Sequence, residues 1–217
     1  MKRLILFDLD GTVTESGPGI KKSAAIALEA QGIRNYTDEQ LDLVVGPPLR
    51  ESFTQTFGMT DEQASQAILD YRAYYEVKGK FENSVYDGIP ALLKKLQESG
   101  ILCGIASSNP ERFVIEILEY YGILEYFDVI AGATMSEALV EKPDIIRLAL
   151  KRADEKKLNY DQVWMVGDRR YDVAGAHACG IPAVGVLYGY GSSRELEEAG
   201  ADSIAETVEE LGSILLS

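Results

Sequence analysis

The chain begins with a short apolar run that is followed at once by two carboxylates and a glycine. Residues 4–7 are Leu-Ile-Leu-Phe, and four consecutive apolar residues are typical of a strand buried inside a parallel sheet. Asp8 and Asp10 follow at positions i and i+2, so an extended chain points both side chains the same way. Because open α/β sheets bind ligands at the carboxyl ends of their strands, this run predicts an α/β fold with an acidic site at that edge.

Two interpretations of this acidic pair are open. Neighbouring carboxylates repel each other and ionise together only when a cation or a proton lies between them. An acidic turn after a buried strand is the ordinary interpretation of a single Asp-x-Asp. A metal-assisted nucleophile beside a general acid/base is the functional interpretation, and it depends on three later segments.

The first two of these segments are another strand end and a helix start. Residues 101–106 form an apolar run that ends in Ser107-Ser108-Asn109, where a hydroxyl can donate to a phosphate oxygen. The same residues also suit an ordinary loop and helix N-cap. Lys142 precedes Pro143, and proline at the first helical position marks a helix start. Taken alone, this lysine would be expected on the surface.

The third segment repeats the pattern of a buried strand that ends in acidic residues. Residues 163–166 are followed by Gly167 and Asp168, with Asp172 four positions further on. If a helix begins near Arg169, the two carboxylates share one helix face. Hard oxygen ligands at a strand end suit Mg²⁺, although an acidic helix N-terminus is the alternative for this motif alone. Four such signals in this order favour the functional interpretation.

Together the motifs resemble those of the haloacid dehalogenase superfamily of phosphohydrolases. They are Asp-x-Asp-Gly-Thr at 8–12, the strand-end serine, the lysine, and Gly-Asp-x-x-x-Asp at 167–172, and the pattern covers nearly the whole chain. Within the superfamily the chain is similar to the phosphoglycolate phosphatase-like branch. That similarity rests on Gly-Pro-Pro-Leu-Arg-Glu-Ser at 46–52, Tyr-Asp-Gly at 86–88, Glu-Lys-Pro at 141–143 and Val-Leu-Tyr-Gly-Tyr-Gly at 186–191.

The resemblance implies a Mg²⁺-dependent phosphatase that hydrolyses a small phosphomonoester through an aspartyl-phosphate intermediate. The substrate class would be phosphoglycolate-like compounds or nucleoside 5′-monophosphates. Asp8 would attack phosphorus, and Asp10 would act as the general acid and then the general base. Ser107 would hold a phosphoryl oxygen, while Lys142 would neutralise charge between Asp8 and the phosphoryl group.

The resemblance also implies a metal site and a set of substrate contacts. Asp8, Asp168 and the backbone carbonyl of Asp10 would hold Mg²⁺, and Asp172 would bind the metal directly or orient the cluster. For Arg50 we expect either a substrate contact or an ion pair with a neighbouring acid. The remaining expected substrate contacts are Ser108 and Asn109.

Two other functions share much of this chemistry. A phosphomutase would use Asp8 in the same way but would return the phosphoryl group to a sugar phosphate. A non-catalytic protein would use the pocket only to bind a phosphate ligand. The second is disfavoured because binding alone needs no acid/base at Asp10.

The strand and helix patterns divide the chain into a core and an insert. Residues 13–19 are rich in turn residues, and helical patterns follow from residue 20 to about residue 77 with no convincing buried strand. Within them, Tyr71 and Tyr75 are expected to pack between helices, with stacking of a nucleobase as the alternative. The rest alternates strands, at 4–8, 101–106, 129–131, 163–166, 183–186 and near 202–205, with helices. We therefore expect a Rossmann-like doubly wound parallel sheet from residues 1–15 and 82–217, with an all-helical cap at 16–81.

The composition and net charge limit the partners and the cellular location that we expect. A formal net charge of −14 argues against nucleic acid or an anionic membrane as the main partner, which favours a small-molecule substrate. The two cysteines have no Cys-x-x-Cys spacing and are expected to be reduced, and the N-terminal apolar run is too short to span a membrane. We expect a cytoplasmic monomer. The single histidine excludes any mechanism that needs two.

Overall fold

The structure, a computed structural model, describes residues 2–136 and 138–217. The chain divides into two compact units. One unit comprises the residues up to Thr14 together with Val85–Ser217, and the other is Glu15–Ser84. The expected insert, residues 16–81, lies inside the second unit.

The first unit, called the core unit below, is built on a six-stranded parallel sheet. The strands found among the described residues are β1 Arg3–Phe7, β2 Thr14–Glu15, β3 Ser84–Val85, β4 Leu102–Pro110, β5 Val129–Ala133, β6 Gln162–Gly167, β7 Ala183–Val186 and β8 Ser203–Ala205, of which β2 and β3 form a separate two-stranded sheet. The strand order of the large sheet is β5-β4-β1-β6-β7-β8, so the chain starts in the middle of the sheet and winds outward on both sides. This confirms the predicted doubly wound α/β fold.

Helices of the core unit cover both faces of this sheet. These helices are α5 Ile89–Glu98, α6 Glu111–Tyr120, α7 Lys142–Glu155, α8 Arg170–Ala178, α9 Ser193–Ala199 and α10 Val208–Leu216. On one face Ile5 and Phe7 of β1 pack in the apolar cluster that includes α5, α6 and α10, whereas Leu4 and Leu6 pack in the cluster that includes α7, α8 and α9. The alternation follows from the two-residue period of a strand, and all four side chains are fully buried.

The strand β4 is longer than predicted. The sequence suggested that it ends at residue 106 and that Ser107–Asn109 form a loop or helix N-cap, but the extended backbone continues to Pro110. The pairing of β4 with β5 shifts register between Ser107 and Pro110. The polar residues therefore lie on an irregular strand end, and α6 begins after Pro110 without a side-chain cap.

The second unit, called the helical unit below, contains α1 Gly17–Ala30, α2 Asp38–Asp42, α3 Leu49–Glu51, a π-helical turn Ser52–Thr56, α4 Asp61–Tyr75 and a 3-10 turn Gly79–Phe81. Helix α1 begins three residues earlier than predicted, because Pro18 takes a position in its first turn. Both α2 and α4 begin with capping boxes, formed by Thr37 with Gln40 and by Thr60 with Gln63.

Among residues 2–136 and 138–217, no helix is long and apolar enough to cross a bilayer.

Candidate active site

Four charged side chains meet at the carboxyl edge of the central strands of the core unit. Asp8 directly follows β1 and Asp168 directly follows β6, the strand hydrogen-bonded beside it. Lys142 is the first residue of α7, and Asp172 lies in the first turn of α8. All four residues are buried, so the fold brings them together out of solvent.

Lys142 is the centre of this cluster. Its ammonium nitrogen Nζ lies 3.0 Å from Asp8 Oδ1 and 2.8 Å from Asp172 Oδ1. The same group donates to the backbone carbonyl of Ala106 on β4, at 3.1 Å. A surface lysine was the ordinary expectation for this position, whereas the observed side chain is held by three acceptors from three elements.

Asp168 is held by backbone and side-chain donors. The N–H of Tyr190 donates to its Oδ2 at 2.8 Å, and the Thr12 hydroxyl lies 3.4 Å from its Oδ1. The i, i+4 spacing suggested that Asp168 and Asp172 share a helix face. Because α8 begins at Arg170, Asp168 instead precedes the helix. The two carboxylates are nevertheless neighbours, since the chain turns sharply between β6 and α8.

Two glycines allow the backbone to close around Asp168. Gly11 has a φ of +83°, and a side chain there would put its Cβ 2.3 Å from Asp168 Oδ2. A Cβ on Gly191 would lie 1.8 Å from the backbone oxygen of Asp168. Neither contact is possible for a residue with a side chain, so both positions require glycine.

The electrostatics of the cluster show an excess of negative charge. Burial raises the pKa of Asp8 to about 7, with Lys142 opposing the rise and Asp172 adding to it. The pKa of Asp168 is raised well above its usual value by burial and by the charges of Asp172 and Asp8. Burial alone would lower the pKa of Lys142, but the attraction of Asp172 and Asp8 outweighs it and the pKa is raised.

This arrangement fits a divalent cation. Asp8, Asp168 and Asp172 each offer a carboxylate oxygen, and these oxygens lie within 4.8 Å of one another. Three carboxylates and one ammonium leave two negative charges, which a divalent ion would neutralise. The donors are all hard oxygens, which suits Mg²⁺. Among the described residues, the carboxylate of Asp10 is not part of this group.

The polar end of β4 supplies three further predicted site residues. Ser107 is buried, and its Oγ accepts the N–H of Asn109 at 3.1 Å. The Ser108 hydroxyl donates to the backbone oxygen of Val140, at 3.3 Å. The side-chain amide of Asn109 donates to Asp10 Oδ2 at 3.1 Å. The structure therefore brings Asn109 to the acidic pair.

Arg50 belongs to the helical unit. Its guanidinium donates to the Ser65 hydroxyl at 3.1 Å and to the backbone oxygen of Asp61 at 3.4 Å. These contacts join α3 to the start of α4. A substrate contact by Arg50 stays a prediction.

The comparison with known sequences assigns the family. The profile of the haloacid dehalogenase-like hydrolases matches residues 5–186, which is most of the chain. This chain belongs to that family. The predicted family is confirmed, and the match includes every predicted site residue.

Several relatives of this haloacid dehalogenase-like hydrolase carry functional names. A 5′-nucleotidase from Pseudomonas aeruginosa is 38% identical over 88% of this chain and 86% of its own length. The tyrosine-protein kinase PtkA from Mycobacterium tuberculosis is 37% identical over 98% of this chain and 72% of its own length. A phosphoglycolate phosphatase from Vibrio vulnificus is 30% identical over 99% of this chain and 96% of its own length.

A solved structure has the same fold as this chain. The crystal structure of a predicted phosphatase from Clostridium acetobutylicum superposes with a TM-score of 0.93 and 41% identity, over 100% of this chain and 99% of that one. Family and relatives together confirm the predicted enzyme class, a phosphoric monoester hydrolase.

Sequence reasoning placed Tyr188 and Tyr190 near the pocket but did not predict the contacts by which they support the site of this hydrolase. Tyr190 donates its backbone N–H to Asp168, so the residue type gave no signal for this contact. The Tyr188 hydroxyl donates to the backbone oxygen of Thr12 at 3.1 Å, and burial raises the pKa of this phenol. The paired glycines at 189 and 191 were the available signal, because a Gly-x-Gly turn after a buried strand indicates a close backbone approach.

An ion pair behind the β4 strand end was also missed. Glu111, the first residue of α6, accepts from the Arg152 guanidinium and, at 3.2 Å, from the N–H of Gly132. Arg152 donates in addition to the backbone oxygen of Ile130. The pair ties α6 and α7, which begin beside the site residues, to β5. Its members are far apart in sequence, so no local pattern predicts it.

Proposed function

We propose that this protein is a Mg²⁺-dependent phosphatase that hydrolyses a small phosphomonoester through an aspartyl-phosphate at Asp8. The observation that carries the proposal is the buried carboxylate of Asp8, which lies 3.0 Å from Lys142 Nζ and beside Asp168 and Asp172. A purely structural ion pair would need one partner for the lysine. Three carboxylates around one ammonium instead suit a site that is completed by a cation and a phosphate.

In the first step a carboxylate oxygen of Asp8 attacks phosphorus, and the bond from phosphorus to the leaving oxygen breaks. Asp10 gives its proton to that leaving oxygen. In the second step Asp10 takes a proton from water, whose oxygen attacks phosphorus and releases Asp8 and inorganic phosphate. Lys142 and the Ser107 hydroxyl stabilise the charge on the phosphoryl oxygens.

Asp8, Asp168 and Asp172, with the backbone carbonyl of Asp10, are the residues that would hold Mg²⁺. When bound, the ion supplies charge neutralisation that lets an anionic nucleophile meet an anionic phosphate. Burial is the main cause of the raised pKa values of Asp8 and Asp168, and the neighbouring carboxylates add to it, so a bound cation would favour the ionised forms of both groups.

Phosphoglycolate and nucleoside 5′-monophosphates are the proposed substrates. Support comes from relatives named phosphoglycolate phosphatase and 5′-nucleotidase that align with most of this chain. The proposal includes a cytoplasmic location, supported by the free cysteines Cys103 and Cys179, and a monomeric state.

Phosphate release from a metabolite panel tests the proposal. The panel contains phosphoglycolate, nucleoside monophosphates, hexose phosphates and pyrophosphate, each with Mg²⁺ and with EDTA. An Asp8→Asn preparation made in parallel measures contaminating phosphatase. Release that needs Mg²⁺ and is absent from the variant supports the proposal, and the preferred compound identifies the substrate class. Equal release from wild type and variant, or none from either, contradicts it.

A further inference from the structure

The side chain of Asn109 contacts the proposed acid/base instead of pointing away from it. Its amide nitrogen Nδ2 lies 3.1 Å from Asp10 Oδ2, in a half-buried environment that joins the end of β4 to the turn after β1. The sequence suggested a substrate contact for Asn109. We propose that Asn109 is a positioning residue that orients the carboxyl group of Asp10 for proton transfer; this rests on the function proposed above.

The physical reason is the freedom of a carboxyl group about its last torsion. That torsion is broad for aspartate, so a carboxyl group at the start of a turn can present either oxygen over a range of angles. A hydrogen bond from a different strand end removes much of this freedom. Proton transfer depends on a defined donor–acceptor geometry, so the restraint favours transfer to the leaving oxygen.

The same residue also orders the proposed phosphate ligand. The backbone N–H of Asn109 donates to Ser107 Oγ at 3.1 Å. A hydroxyl that accepts through a lone pair can still donate its own hydrogen, in this case to a phosphoryl oxygen. Asn109 therefore sets the direction of Ser107 through its backbone and of Asp10 through its side chain, one at each end of the bond that breaks.

The chemistry of the side chain explains why an amide suits this position. An amide donates a hydrogen bond at every pH and adds no charge to a site that already has an excess of carboxylates. An aspartate of the same shape would put a second carboxylate against Asp10, and two carboxylates at hydrogen-bond distance repel each other. The substitution Asn109→Asp thus keeps the size of the side chain and reverses its effect.

The test compares two substrates that differ in their need for the general acid. Phenyl phosphate and p-nitrophenyl phosphate present nearly the same shape, but phenol has a pKa of about 10 and leaves poorly without a proton. The nitrophenolate is a much weaker base and leaves without one. The measured quantity is kcat/KM, which reports the steps up to formation of the phosphoryl-enzyme, and the ratio of the two values cancels common binding effects.

For Asn109→Ala we expect kcat/KM to fall by about 10-fold or more with phenyl phosphate, part of the factor of about 10² that a general acid supplies, and by less than about 3-fold with p-nitrophenyl phosphate. Asn109→Asp should distort the ratio at least as strongly, although it preserves the shape. Because the ratio is taken within one preparation, partial misfolding of a variant does not change it. Asn159→Ala, an exposed asparagine in the loop before β6, is the matched control and should leave both values unchanged.

A substrate contact or a packing role would lower kcat/KM equally for both substrates, and an unchanged ratio in both Asn109 variants would overturn the inference. A milder effect of Asn109→Asp than of Asn109→Ala would also overturn it, since shape would then matter more than the donor. If the wild type released phosphate from neither these esters nor any compound of the metabolite panel, the proposed function and this inference would fail together. If the wild type is active and the ratio is unchanged in both Asn109 variants, only this inference fails.

Discussion

A charged cluster of the core unit and an ion pair of the helical unit lie in opposite surroundings. In the core unit the side chain of Lys142 is only 4% exposed, and its partners Asp8 and Asp172 are 11% and 2% exposed. In the helical unit the ion pair of Lys21 with Asp42 leaves side chains that are 37% and 59% exposed. The distances are similar, so the difference lies in the surroundings and not in the contact.

This difference in burial distinguishes a charged cluster that is retained for its reactivity from an ion pair that has only a small effect on stability. Burial of an ion costs several kcal/mol even after relaxation, so a cluster of buried charges is retained where its reactivity is needed. An exposed pair contributes about 0–1 kcal/mol and demands little of the fold. The helical unit instead buries aromatic side chains, such as the rings of Tyr71 and Tyr75, which stack with centroids 5.3 Å apart. We infer that the core unit supplies the reacting groups.

The largest expected effect is on turnover. Asp8→Asn should lower phosphate release by at least about 10³-fold, because the amide is not a nucleophile. The fold should be retained, since the substitution removes a charge whose burial is unfavourable. Asp42→Asn is the matched change in the helical unit and should leave kcat/KM within about 2-fold. Comparable losses of kcat/KM in both variants would contradict the proposed difference between the two units.

The next effect is on stability. Lys142→Met leaves buried carboxylates without their cation and should lower the free energy of unfolding by about 3 kcal/mol or more. Lys21→Met removes an exposed partner and should cost less than about 1 kcal/mol. Urea denaturation at pH 8 in EDTA measures both. If the two variants were equally stable, the buried cluster would not differ energetically from a surface pair.

A smaller effect is expected on the thermal stability that Mg²⁺ adds at different pH values. The pKa of Asp8 is raised in the folded state, so the metal-free protein binds a proton there that the unfolded chain has already released. Stability from this group is therefore present at low pH and is lost as the pH rises from about 4 through about 7. Mg²⁺ competes with that proton, so the rise in Tm on adding Mg²⁺ should be larger at pH 8 than at pH 6, by at least about 2 °C. Thermal scans of wild type and Asp8→Asn measure this; an equal pH dependence in both would assign it to other groups.

The smallest effect concerns the aromatic packing of the helical unit. Tyr71→Leu keeps most of the apolar volume but removes the ring pair with Tyr75, which should cost about 1–2 kcal/mol. The value of kcat should stay within about 2-fold. A selective rise of KM for nucleoside monophosphates, with phosphoglycolate unaffected, would instead favour the alternative that Tyr71 stacks a nucleobase.

The strand-end residues of the core unit were predictable because local rules determine them. Each acid follows an apolar run, and the carboxyl ends of parallel strands meet at one edge of a sheet, so Asp8 and Asp168 could be placed at that edge from the sequence. All six predicted core strands are found, with ends that differ by a few residues. The extension of β4 through Ser107 was not predictable, since the pairing with β5 that supports it is distant in sequence.

Other parts of the site depend on contacts that no local pattern contains. Burial of Lys142 follows from the convergence of β1, β4 and α8, and the residue itself resembles any solvated lysine at a helix start. Asp168 accepts a hydrogen bond from the backbone N–H of Tyr190, which any residue other than proline could provide. The hydrogen bond from Asn109 to Asp10 joins two segments 99 residues apart. Motifs thus predicted the candidate reacting residues, whereas the contacts that hold these residues in place required the structure.

The most direct measurement is to locate the phosphoryl group during turnover. Wild-type protein is mixed with Mg²⁺ and the preferred substrate, quenched in acid within milliseconds, digested, and analysed by mass spectrometry. The account predicts one added phosphoryl group on the peptide that contains Asp8, lost on treatment with hydroxylamine and absent from Asp8→Asn. Rapid phosphate release with no phosphorylated peptide at any quench time, or with the phosphoryl group on another residue, would contradict the assignment of Asp8 as the nucleophile.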